Sequence, residues 1–159
     1  MRILKKPEEH MSLFQGNCVE LKPIEVAGNG SDFFELSINL KNESVNKFNA
    51  ETLAELRTAI SKIPGTLKGL LLTSGKETFL AGADITEFLN HFKKAESELK
   101  SWIGETQTLF SKIEDLNAPT VCLISGFALG GGLEYALTCD YRIATPGTKV
   151  GLPETKLGI

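Results

Sequence analysis

Two glutamates and a cluster of glycines carry the chemistry this chain can offer. Glu134 follows Gly130, Gly131 and Gly132, and Glu154 follows Pro153 twenty positions later. Two carboxylates can divide general acid and general base work when their surroundings separate their proton affinities. The glycines matter for another reason. Val121 to Ile124 is a short apolar run of strand length, Gly126 breaks it, and Gly130 to Gly132 leave the backbone bare of side chains. From Gly132 on, Leu133, Tyr135, Ala136 and Leu137 suit a helix with Glu134 in its first turn. A strand, a glycine turn and a helix N-terminus aim free N–H groups at one point. That arrangement suits an oxygen gaining negative charge while an acid beside it moves a proton. Read as residues alone, Glu134 serves equally as a partner of the helix dipole and Glu154 as a solvated loop residue.

Gly126, Gly130 and Gly132 also fit the Gly-x-x-x-Gly-x-Gly spacing of a dinucleotide turn, which would make the chain part of a nucleotide-binding oxidoreductase. That turn belongs after the first strand of a doubly wound sheet, whereas here it comes late in the chain. There is no Gly-x-Ser-x-Gly elbow and no Walker loop. His10 lies in the N-terminal tail and His91 on a polar helix face, so neither suggests a triad or a metal site.

The composition narrows the classes further. The 159 residues, 42% of them hydrophobic, make one domain with a real core. A formal charge of −3 gives no nucleic-acid surface. Cys18, Cys122 and Cys139 are far apart with no Cys-x-x-Cys, so neither zinc nor a disulfide frame is indicated, and a reduced cytoplasmic compartment is expected. No apolar run approaches the roughly 20 residues of a membrane span. Residues 1–10 are basic and then acidic, which reads as an N-terminal extension rather than a signal peptide.

The positioning elements follow from periodicity. Val19 to Val26 is a strand that Pro23 marks as an edge, Gly28 to Asp32 a turn, and Phe34 to Leu40 an antiparallel return strand. Asn49 caps a helix carrying Leu53, Leu56, Ala59, Ile60 and Ile63, which Pro64-Gly65 ends. Lys68 to Ser74 is a buried strand. Asp84 caps a helix through Phe88, Leu89 and Phe92, and a second helix spans Glu96 to Leu116. Short strands at Asp140–Ala144 and Lys149–Glu154 complete the order. Phe79-Leu-Ala-Gly82 and Phe127-Ala-Leu-Gly130 each follow a strand, 48 positions apart, so two similar turns are expected to stack and offer N–H groups to one spot.

Three blocks, Phe79-Leu-Ala-Gly-Ala-Asp-Ile-Thr-Glu-Phe88, Ile124-Ser-Gly-Phe-Ala-Leu-Gly-Gly-Gly-Leu-Glu-Tyr135 and Gly151-Leu-Pro-Glu-Thr-Lys-Leu-Gly-Ile159, resemble the signatures of the enoyl-CoA hydratase/isomerase (crotonase) superfamily. Leu13 to Asn17, Ser44 to Asn49 and Lys68 to Lys76 add a similarity to the N-terminal hydratase part of alpha subunits of bacterial fatty-acid oxidation complexes. The resemblance implies an α/β fold built as a spiral of ββα units over residues 11–159, with further sequence beyond Ile159 completing the domain. It implies an acyl thioester of coenzyme A as substrate. The thioester oxygen would take N–H bonds from Ala81 and Gly131, and Glu134 and Glu154 would move protons for hydration and for Δ3-Δ2 isomerisation. Ala81, Gly82, Ala83, Asp84, Gly130, Gly131 and the Ser44–Phe48 loop would lie along the substrate and coenzyme A. No cofactor is implied in this segment, NAD belonging to a later region of such subunits, and a thiolase beta subunit is the implied partner. The same fold without activity, serving as a binding or assembly module, is the alternative.

Overall fold

The computed structural model describes residues 11–26, 30–91 and 93–158. The predicted extension over 1–10 and the Phe92 end of the predicted helix lie outside them. The chain opens with an antiparallel meander of β1 (Phe14–Gln15), β2 (Val19–Val26) and β3 (Gly30–Ile38). Alternation sends Val19 and Leu21 of β2 inward opposite Ile38 and Leu36 of β3, and these four are at most 2% exposed. β3 begins at Gly30, whose φ is +80°, earlier than Phe34, and the Gly28–Asn29 start of the predicted turn lies outside the described residues. It ends before Leu40, whose N–H is given to the Asn46 side chain instead of a neighbouring strand. Pro23 sits where β1 no longer accompanies β2, since β1 pairs only with Glu20 and Leu21.

Helix α1 (Ala50–Ser61) starts where predicted. Asn49 Oδ1 accepts the Thr52 N–H at 2.8 Å, and Leu56, Ala59 and Ile60 turn into the core. Glu55 on its other side accepts the backbone N–H groups of Asn17, Cys18 and Val19 at 2.8 to 2.9 Å, tying the β1–β2 turn to the helix. Next come β4 (Gly69–Ser74), α2 (Ile85–His91), α3 (Glu96–Glu114) and β5 (Thr120–Ile124). They are followed by β6 (Phe127–Leu129), α4 (Gly131–Leu137), β7 (Tyr141–Ala144), β8 (Lys149–Gly151) and α5 (Glu154–Leu157). The main sheet runs β1-β2-β3-β4-β5-β7, parallel from β3 onward. Its inner face, with Leu36, Leu70, Leu72, Cys122 and Ile124, packs on Leu56 of α1 and on Leu109 and Ile113 of α3 in one core.

A second, smaller layer of β6 and β8 lies beside the main sheet. The sequence reading has no strand at β6; it takes β5 straight into the glycine turn. Phe127–Leu129 is extended because it is held from both sides. Leu80 bridges Ala128, and Ala128 in turn pairs with Val150 of β8. Leu80 and Ala128 are 48 positions apart, so the two Phe-x-x-Gly turns do stack as their repetition predicts. Gly82 and Gly132 allow the close approach. A Cβ at Gly82, whose φ is +98°, would stand 2.8 Å from Leu129 O, and one at Gly132 would stand 2.5 Å from Leu80 O.

Candidate active site

Where the two turns meet, the structure brings Glu134 and Glu154 to consecutive backbone positions. A Cβ built on Gly130 would lie 2.7 Å from Glu154 Oε1, and one on Gly131 would lie 3.6 Å from Glu134 Oε2. Both carboxylates line a single cleft of about 560 Å³ together with Phe48, Ala81, Gly82, Ala83, Gly130 and Gly131. Glu134 arrives there as the fourth residue of α4, its N–H given to Gly130 O at 3.1 Å. Glu154 arrives by a different route from the predicted strand. β8 stops at Gly151, whose carbonyl accepts the Gly130 N–H at 2.9 Å, and Pro153 then turns the chain so that Glu154 opens α5. That hydrogen bond and the Leu129–Gly151 pairing beside it fasten the start of the Glu134 turn to the strand end that precedes Glu154.

The N–H donors need one correction. Ala81, expected to donate to an oxyanion, gives its N–H to Asn46 O at 2.8 Å and has no second proton to offer. Asn46 is wholly buried and fixed by its own side-chain bonds to Leu40 N, Ile38 O and Ser74 Oγ, so this acceptor is built in. The amide left over in this turn is that of Ala83. Phe48 donates to Gly82 O and accepts from Asp84 N, both at 2.8 Å, forming a parallel bridge with Ala83. In such a bridge Ala83's own N–H points to the opposite side. Among the described residues it has no acceptor, and Ala83 lines the cleft. Gly131, the first residue of α4, likewise has no intrahelical partner for its N–H. A Cβ on Gly82 would be 3.5 Å from Gly131 N, so the two turns abut at this pair. The sequence reading placed the donor at Ala81 on the resemblance alone, and nothing local in Phe79-Leu-Ala-Gly82 marks which amide of the turn stays free.

Below the turns stands an aromatic pedestal to which the sequence reading gave no common role. Tyr135 is 1% exposed, with ring centroids 5.6 Å from Phe48, 5.5 Å from Phe110 and 6.3 Å from Phe79. Burial pushes its phenol well above the ordinary value, and its hydroxyl finds no partner among the described residues. Asp84 pins the rim. Its carboxylate accepts the Thr86 hydroxyl at 2.6 Å and the Thr86 N–H at 2.9 Å, and Lys47 lies 3.0 Å away. The Thr86 hydroxyl first, then Lys47, hold Asp84 down at about 2. Helix α3 supplies the facing wall. Its Leu109 and Ile113 are buried, while Trp102, Ile103 and Phe110 line the cleft. His91 stacks on Trp102 at 4.3 Å, joining α2 to α3.

The dinucleotide turn does not fit this geometry. Its glycines share one tight turn between strand and helix, whereas here β6 separates Gly126 from Gly130. Among the described residues one group of metal-ligand type comes together, Cys18, Glu51 and Glu55. Both Glu55 oxygens there already accept backbone N–H groups.

Stacked strand-turn units under a parallel sheet, with paired acids at their junction, define an α/β protein of crotonase architecture. Comparison with solved structures agrees. An enoyl-CoA hydratase/carnithine racemase from Magnetospirillum magneticum superposes with a TM-score of 0.78 at 23% identity, over 91% of this chain and 52% of that one. An enoyl-CoA hydratase from Thermoplasma volcanium gives 0.75 at 28% identity, over 91% and 54%. The family description "Enoyl-CoA hydratase/isomerase" matches residues 36–159, and the chain belongs to that family. Fatty acid oxidation complex alpha subunits from Pseudomonas aeruginosa and Ectopseudomonas oleovorans are each 48% identical over 149 residues, 92% of this chain. The chain spans about a fifth of the length of these curated relatives, which is 20% for each. No helix among the described residues is long and apolar enough to cross a membrane.

Proposed function

We propose that this chain carries the hydratase chemistry of fatty-acid β-oxidation, the syn addition of water across the 2,3 double bond of an enoyl thioester of coenzyme A. The observation that carries the reading is the convergence of Glu134 and Glu154 on Gly131 and Gly130, beside two amides with no internal acceptor. The thioester oxygen would accept from Ala83 N–H and Gly131 N–H. Negative charge developing there, as water adds at C3 and the enolate forms, is stabilised by donors already in place. One glutamate takes the proton from the attacking water and the other supplies the proton at C2. The same enolate and the same proton shuttle would move a 3,4 double bond to the 2,3 position, so isomerisation belongs to the reading. Proton transfer among two carboxylates and water needs no redox partner, and coenzyme A enters as part of the substrate. The similarity to complex alpha subunits supports a cytoplasmic place within a longer multifunctional subunit, with a thiolase beta subunit as its partner. The test is to mix the chain with crotonyl-coenzyme A and follow the absorbance of the conjugated thioester. Its loss, with 3-hydroxybutyryl-coenzyme A formed in equal amount, is expected. Tight binding without turnover would favour a binding module on the same fold.

A further inference from the structure

The reading of the site as an acyl-thioester cleft leaves one wall residue without a task. Glu114 lines the cleft as the last residue of α3. It is exposed, and among the described residues its carboxylate makes no ion pair or hydrogen bond. Local helix physics does not account for it either, because an acid in the last turn opposes the helix dipole. With Glu134 and Glu154 it makes three carboxylates lining one cleft, and no lysine, arginine or histidine is among the described residues lining it.

The position of Glu114 relative to the reacting centre can be read along α3. The Phe48 ring lies 3.6 Å from a Cβ on Gly131 and 5.3 Å from the Phe110 ring, so the turns meet α3 at the level of Phe110. Glu114 is one turn further, about 6 Å along the axis, and Trp102 is about 12 Å in the other direction. An acyl chain leaving the thioester towards Glu114 meets a carboxylate within one turn. A chain leaving towards Trp102 runs between Ile85, Trp102 and Ile103, with no cation among the described residues lining the cleft. Towards Glu114 an anionic chain end meets a like charge, and towards Trp102 it loses water without gaining a counter-charge.

From this we propose that the cleft admits acyl groups with an uncharged end and that Glu114 is the specificity residue that turns away chains ending in a carboxylate. The inference rests on the function proposed above and names its substrate class.

The test uses a matched pair that cannot react, since neither has a double bond: hexanoyl-coenzyme A and the coenzyme A monothioester of hexanedioic acid. Both are titrated calorimetrically into the chain at low and at high salt. The uncharged chain is expected to bind at least about tenfold more tightly at low salt, and the ratio is expected to shrink as salt screens the wall. Glu114→Gln is expected to narrow the ratio at least about threefold. Glu98→Gln, which removes the same charge from α3 away from the cleft, is expected to leave it where it is. Equal binding of the two thioesters by the unsubstituted chain overturns the inference, as does equal narrowing by both variants. Binding of neither thioester overturns the acyl-thioester reading itself, and the inference with it.

Discussion

A backbone N–H can be deleted only by proline, which makes Gly131 the most informative residue in the site. It is the first residue of α4, the helix position that best tolerates proline. A Cβ there meets Phe48 and Glu134 at 3.6 Å, ordinary contact, so alanine also fits. Gly131→Ala keeps the donor and is expected to retain turnover of crotonyl-coenzyme A within about tenfold. Gly131→Pro is expected to lose about 10²–10³, the usual cost of one oxyanion donor. Equal losses in the two variants would show that the amide is not used. Glu134→Gln keeps the shape of the side chain and removes its proton chemistry, so a loss of at least about 10² in turnover is expected from the same assay. Tyr135 asks a different question of the same neighbourhood. Its buried hydroxyl lacks a partner among the described residues, and an unmade buried hydrogen bond costs on the order of 1 kcal/mol or more. Tyr135→Phe is therefore expected to raise the stability seen in urea unfolding by about 1 kcal/mol, and a fall would reveal a partner for that oxygen.

At the scale of the elements, the rim of the cleft depends on how α2 begins. Asp84 caps it through Thr86 and joins it to the Ser44–Phe48 loop through Lys47. Its carboxyl titrates at about 2 in the folded chain against 3.8 ordinarily. A lowered acid stabilises the fold in its ionised form. The contribution is whole above about pH 4 and disappears as the pH falls through 2. Asp84→Ala is expected to cost about 1 kcal/mol at pH 7, as a lost N-cap does, and little at pH 2. Urea midpoints for both proteins at the two pH values measure this. The cap was legible because an Asp before a helical apolar pattern has few other uses. The Asn49 cap, α1, α3 and the inner strands were legible for the same reason, since periodicity and capping are local. β6 was not, because three residues between glycines carry no period. Phe127–Leu129 is extended only because Leu80 and β8 flank it, contacts made 48 and 22 residues away at Leu80–Ala128 and Ala128–Val150. The misplaced donor at Ala81 has a related cause. Which amide of a short turn is free depends on which neighbours consume the others, and Asn46 is 35 positions from Ala81.

For the molecule as a whole, the paired acids and stacked turns were readable from spacing and resemblance, whereas which strand and side chains border the uncovered surface was not. Every residue of β7 is exposed, Tyr141 at 63% and Ile143 at 60%. Leu123 beside them and Leu137, Val150 and Leu152 on the following segments are exposed as well. Alternation cannot announce this, because a parallel strand reads as apolar on both faces whether or not something covers it. β7 is also the edge of the main sheet, so among the described residues its outer row of N–H and C=O groups has no strand beside it. Large apolar side chains around an open edge promote association between copies. The chain is therefore expected to show concentration-dependent self-association in sedimentation velocity at neutral pH. Its charge of −3 is too small to keep copies apart. Ile143→Lys places a charge on the edge strand itself, a device by which edge strands resist pairing. The substitution removes little burial, because Ile143 is already mostly in solvent, so the unfolding free energy is expected to stay within about 0.5 kcal/mol of the parent. The associated fraction is expected to fall by at least about half. If the lysine variant instead associates as much as the parent while unfolding at the same midpoint, the contact between copies lies away from β7, and the cleft mouth beside Leu152 becomes the surface to test next.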